Sequence, residues 1–139
     1  MKINVILDKG AKMPTKAHEA DAGFDIYAPK RTVVRAKDSA VIDTGVHIEI
    51  PHGYVGFLKS KSGLNVQCGI RGEGVIDAGY TGSIVAKLYN DGHNMVIIEE
   101  GQKMIQIVFL PIPDVELEQV SSFEATERGD NGFGSSGKF

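Results

Sequence analysis

Tryptophan is absent from this sequence, and cysteine occurs once, at Cys68. A single thiol excludes an intrachain disulfide, so a small oxidised scaffold is ruled out and a reducing, cytoplasmic setting is expected. No histidine lies close to Cys68 in sequence, and nothing marks it as a nucleophile. Long apolar runs are missing too. No stretch reaches the roughly 20 residues that span a bilayer, and the apolar run in Met1–Asp8 is too short for a signal peptide. An excess of positive charge is also lacking. Fifteen Lys and Arg stand against 18 Asp and Glu, a net charge of -3. That is not the basic footprint of a protein that binds long nucleic acid. A small anionic ligand stays open, because a local group of Lys, Arg and backbone N–H donors does not depend on net charge. His18, His47, His52 and His93 show no metal-ligand spacing, so no protein-held zinc site is expected.

What is present reads as one soluble domain. The 139 residues allow a single core, and 42% of them are hydrophobic. Seventeen glycines suggest many turns. Ile3, Val5 and Leu7 alternate with polar neighbours, as does Val46–Ile50, and Tyr54–Lys59 is a second run after the turn Pro51-His52-Gly53. In Ser83–Tyr89, Ile84, Ala86 and Leu88 share one face. Met95–Ile98 and Met104–Ile112 complete the set. Short strands broken by Gly, Pro, Asn and Asp predict an all-β sandwich or barrel. Ser62–Gln67 is the one candidate helical turn, with Ser62 placed where it could cap it. Residues 1–124 form the expected body. Residues 125–139 form a flexible, Gly-rich C-terminal tail with too few apolar residues to fold alone.

Three short patterns mislead. Gly132–Lys138 matches most of a phosphate-binding P-loop, but Phe139 stands where Ser or Thr is needed and no βαβ pattern precedes it. Asp43-Thr44-Gly45 matches the catalytic triplet of retroviral-type aspartic proteases, yet its flanks disagree. A turn between two strands, with Asp43 at its edge, is the expected structure there. Arg128-Gly129-Asp130 matches an adhesion tripeptide in a chain with no export signal.

Five segments then resemble, in order, the five motifs of the trimeric dUTPases. They are Ala22–Ala28 (AGFDIYA), Ser60–Leu64 (SKSGL), Gly74–Gly82 (GVIDAGYTG), Gly101–Gln106 (GQKMIQ) and Arg128–Gly137 (RGDNGFGSSG). The resemblance implies a jelly-roll-like β-barrel of the dUTPase β-clip type, three copies of which form a ring. It implies hydrolysis of dUTP to dUMP and pyrophosphate, which limits uracil incorporation into DNA and supplies dUMP for thymidylate synthesis. Each site is then shared. One subunit gives the first, second and fourth motifs, the next gives the third, and the last lends its tail.

The resemblance also implies roles. Asp77 orients a water and takes its proton for attack on the α-phosphate. Arg128 binds phosphate oxygens and stabilises charge on the leaving pyrophosphate. Tyr80 packs against the deoxyribose and rejects a 2′-OH. Backbone groups of a hairpin from Gly74 through Val75 and Ile76 to Val85 read uracil. Lys61, Ser62, Gly63, Gln106, Gly134, Ser135 and Ser136 contact the triphosphate, and Phe133 is an aromatic lid. Asp25 helps place Mg²⁺ through water, the ion being held mainly by the substrate's phosphates. Two departures stand out. Lys61 replaces the commoner Arg and loses its planar fork. Lys103-Met104-Ile105 replaces Arg-Ile-Ala, a change expected to affect packing more than chemistry. A dCTP deaminase-like enzyme of the same fold and a nucleotide-gated regulatory binding protein are the alternatives.

Overall fold

Alternating sequences become strands where a partner can accept their backbone bonds. In the computed structural model, which describes residues 1–139, eleven strands and one helix form. The strands are β1 (Asn4–Leu7), β2 (Gly23–Tyr27), β3 (Thr32–Val34), β4 (Ser39–Asp43), β5 (Val46–Glu49), β6 (Tyr54–Ser60), β7 (Ile70–Arg71), β8 (Gly74–Ile76), β9 (Val85–Asn90), β10 (Val96–Ile98) and β11 (Lys103–Pro111). All pair antiparallel. The largest sheet has the order β2-β11-β6-β8; the others are β4-β9-β7, β1-β5 and β3-β10. The chain is all-β and jelly-roll-like, as expected. No helix is long and apolar enough to cross a membrane.

Inward positions of the sheets meet in one core. Ile84, Ala86 and Leu88 are buried together with Ile26, Ile42, Leu58, Ile105 and Ile107. Each large aliphatic side chain so buried contributes about 1.5–3 kcal/mol. The helix α1 (Ser62–Cys68) is one residue longer than predicted. Leu64 and Cys68, four residues apart on one face, pack against the core. It ends at Gly69, whose φ of 73° is left-handed and lets its N–H reach the Asn65 carbonyl at 2.9 Å.

The last strand stops at Pro111, and every residue from Leu110 to Phe139 is exposed. Ile112 still donates to the Gly53 carbonyl at 2.8 Å. Beyond it, Val115, Leu117 and Val120 are exposed apolar residues.

Candidate active site

The pairing of β2 with β11 sets Asp25 opposite Gln106, and β11 also sets Gln106 opposite Lys59 of β6. The loop after β6 therefore emerges beside Asp25. The Asp25 side chain is only 5% exposed. Its two oxygens lie 2.5 Å from Lys61 Nζ and 2.9 Å from Lys103 Nζ. Burial alone would raise the Asp25 pKa; hydrogen bonds and charge from Lys61 and Lys103 outweigh it and hold the carboxyl below its ordinary value. The same contact raises Lys103. Two ammonium groups on one carboxylate leave a net positive charge, suited to an anion. Gln106 Nε2 donates to the Ser60 carbonyl at 3.0 Å, and Ser60 Oγ accepts from Gly72 N–H at 3.0 Å. The Lys61-Ser62-Gly63 segment is thus anchored on its strand side, with Ser62 and Gly63 exposed.

Two sequence expectations change here. The N-cap of α1 is Lys61, and no side chain caps it. Ser62 is the first helical residue, one position too late to cap. Lys103 is more than a packing substitution, because its ammonium closes the second side of Asp25.

The second group lies between β8 and β9. Strand β8 pairs with β6, whereas β9 pairs with β4 and β7. Gly74–Val85 is therefore a strap crossing from one sheet to another, not a closed two-stranded hairpin. Gly74 and Ile76 are half-buried; Val75 and Val85 are exposed. Asp77 is exposed and lines a cleft of about 410 Å³ with Tyr54, Val55 and Asp114. Its carbonyl accepts from Tyr80 N–H at 3.2 Å, closing a turn. The Tyr80 hydroxyl donates to the Ser83 carbonyl at 2.8 Å.

The segment from Asp43 to His47 clasps this strap. Asp43 accepts from Ser83 Oγ and from Gly45 N–H, which keep its carboxyl below the ordinary range. Thr44 N–H and Oγ1 both donate to the Ile84 carbonyl, at 3.0 and 2.7 Å. Ile84 N–H donates to the Val46 carbonyl at 2.9 Å. The two nitrogens of His47 face the Thr81 carbonyl at 2.8 Å and Asp8 Oδ1 at 3.0 Å. Sequence reasoning found Asp43 at the edge of a turn but missed the clasp. No spacing in the sequence links residues 43–47 to residues 81–84.

The two groups are far apart within one chain. Ile76 pairs with Gly56 near the start of β6, whereas Lys61 follows its last residue, Ser60. At about 3.3 Å per residue this register separates Asp77 from Lys61 by roughly 15–20 Å. The third group, Arg128, Phe133, Gly134, Ser135 and Ser136, is wholly exposed. Arg128 Nε donates to the Asn131 carbonyl at 3.0 Å, within the tail itself. No group of three His, Cys, Asp or Glu side chains could hold a metal. Asp25, engaged by two lysines, is a single carboxylate. With both its oxygens on lysines it offers a cation no cage, so a Mg²⁺ here would have to be held mainly by phosphate oxygens and waters.

The sequence model of the family described as dUTPase matches residues 9–137. A deoxyuridine 5'-triphosphate nucleotidohydrolase from Clostridium tetani is 37% identical over 136 residues, covering 96% of this chain and 94% of that protein. The dUTPase of Staphylococcus bacteriophage 80alpha, solved with dUPNHPP, is 36% identical with a TM-score of 0.92 and 99% of both chains covered. A mutant dUTPase from phage phi11 of S. aureus, whose structure reveals molecular details for the coordination of a structural Mg(II) ion, is 32% identical with a TM-score of 0.83, covering 90% of this chain and 100% of that one.

Proposed function

This chain belongs to the dUTPase family and hydrolyses dUTP to dUMP and pyrophosphate; from that premise we propose that its active sites are assembled from three copies of the chain. The deaminase and regulatory alternatives are not favoured by the family match. The observation that carries the shared site is the distance set by β6. Asp77 stands beside one end of that strand, with Tyr80 tied to it by a turn, and Asp25, Lys61 and Gln106 stand beside the other. A second copy can bring them together where one chain cannot. The exposed tail, with no partner in its own chain, is free to reach a third.

In the assembled site the positive Asp25, Lys61, Lys103 cluster attracts the triphosphate, with Ser62, Gly63 and Gln106 along the phosphate chain. Backbone groups of Gly74, Val75, Ile76 and Val85 meet uracil. Tyr80 lies under the deoxyribose, where a ribose hydroxyl would be buried without a partner at a cost of a few kcal/mol. Asp77, exposed at the mouth of its cleft, holds a water and accepts its proton as the water's oxygen bonds to the α-phosphorus. The bond from that phosphorus to the bridging oxygen breaks, and pyrophosphate leaves. Residues 125–139 close over the nucleotide. There Phe133 stacks on the base, Arg128 pairs with the departing phosphates, and Gly134, Ser135 and Ser136 add N–H and O–H donors. Asp25 would help place a Mg²⁺ through water, and the ion would supply positive charge to the substrate's phosphates. A cytoplasmic setting, keeping uracil out of DNA, agrees with the lone thiol Cys68.

Pyrophosphate release with Mg²⁺, measured for dUTP beside UTP, dTTP and dCTP, tests the assignments. Selectivity for dUTP that is abolished in Asp77→Asn supports them. Undiminished turnover in Asp77→Asn would remove Asp77 from the chemistry.

A further inference from the structure

The side-chain hydrogen bonds that tie the N-terminal turn of the chain to the strap carrying Asp77 and Tyr80 are both made by His47. Strand β1 pairs with β5, setting Ile6 opposite His47. The chain then turns at Asp8, whose N–H donates to the Gly45 carbonyl at 2.8 Å. That turn brings the Asp8 carboxylate to Nε2 of His47 at 3.0 Å, while Nδ1 faces the Thr81 carbonyl at 2.8 Å. Both partners are acceptors only, so both ring nitrogens must donate, and only the imidazolium has two N–H groups. Thr81 is the residue after Tyr80.

We propose that His47 is a positioning residue for sugar selection, its protonated ring holding the Thr81 carbonyl so that Tyr80 is kept where it meets the deoxyribose. The proposal rests on the reading of Tyr80 given above. The ring is charged in a setting that favours charge. The hydrogen bond to Thr81 and then that to Asp8 raise its pKa, partial burial opposes them, and the negative charges of Asp8 and Asp43 add to the rise. Glu49, which shares the cleft beside His47 with Asn4 and Ile6, is the remaining acidic neighbour. It accepts from Asn4 at 2.7 Å. The turn after β1 also carries Lys9, next to Asp8, while the strap has no Lys or Arg. Above the pKa of the folded state one N–H is lost. The ring keeps either Thr81 or Asp8, not both, and the strap loosens.

The test combines three measurements on the full protein. The first is the ratio of kcat/KM for dUTP and UTP as a function of pH. The second is the His47 titration by NMR. The third is amide exchange of residues 77–84. In the wild type, the dUTP preference should fall severalfold as pH rises through the NMR-determined pKa of His47. In His47→Ala the strap should exchange faster, with the preference low and flat with pH and the loss mainly in KM. His47→Arg, a donor that does not titrate in this range, should restore preference without the pH limb. A merely structural His47 would lower Tm and leave the preference unchanged. Unaltered strap exchange in His47→Ala overturns the clasp. A faster strap with unchanged preference overturns the role in selection. Tyr80→Ala, assayed alongside, shows separately whether the reading of Tyr80 has failed.

Discussion

The ring of Tyr80 lies over Gly82 so closely that a Cβ on residue 82 would stand 2.6 Å from ring Cζ. Only glycine leaves room for the tyrosine in this position, with its hydroxyl on the Ser83 carbonyl. In Gly82→Ala the ring must move. We expect the preference for dUTP over UTP to fall about tenfold, the order of one polar group's burial cost. Thermal stability should change little, since the Tyr80 ring that must move is itself exposed. Equal preference in wild type and Gly82→Ala would show that the ring position does not set sugar choice.

Much of the body was legible before its structure. Ile84, Ala86 and Leu88 alternate, and all three are buried. Val46–Ile50 alternates likewise and became β5, while the apolar run Tyr54–Lys59, set off by the turn before it, became β6. Strands β2 and β8 were harder to see. Their sequences, GFDIY and GVI, contain glycine and lack clean alternation. They are strands because β11 and β6 offer edges to pair with. The order of the five segments pointed to the family, while the contacts among their side chains could not be read. Lys61 and Lys103 lie 42 positions apart in numbering (103 minus 61), and only the register of β2, β6 and β11 brings both to Asp25.

That pairing has a pH signature. The Asp25 carboxyl titrates below its ordinary 3.8 in the folded state. Its contribution to stability is full above 3.8 and is lost as pH falls through the lower folded value. Lys103 is raised above 10.5, so its contribution is present below 10.5 and is lost as pH climbs through the higher value. Asp25→Asn should cost about 2 kcal/mol at neutral pH. The gap to wild type in urea melts should close as pH drops below 3.8. A gap that stays constant from neutral to strongly acidic pH would contradict the charged pairing.

The tail should respond to nucleotide. Arg128–Gly137 makes only turn-type backbone bonds within itself, Asn131 to Arg128, Ser135 to Gly132 and Gly137 to Gly134. With a non-hydrolysable dUTP analogue, amide exchange there should slow strongly. Phe133→Ala should raise KM about tenfold through loss of base stacking. Equal exchange with and without the analogue would contradict closure.

Sharing of each site among copies is tested most directly by mixing two inactive variants. Asp77→Asn and Arg128→Ala chains are unfolded together in equal amounts, refolded, and assayed for pyrophosphate release from dUTP. If Asp77 and Arg128 of one site come from different copies, about a quarter of the sites receive both intact residues, and a comparable share of wild-type activity returns. If both residues of a site come from one chain, no mixture restores activity, and an inactive mixed assembly would contradict the shared site.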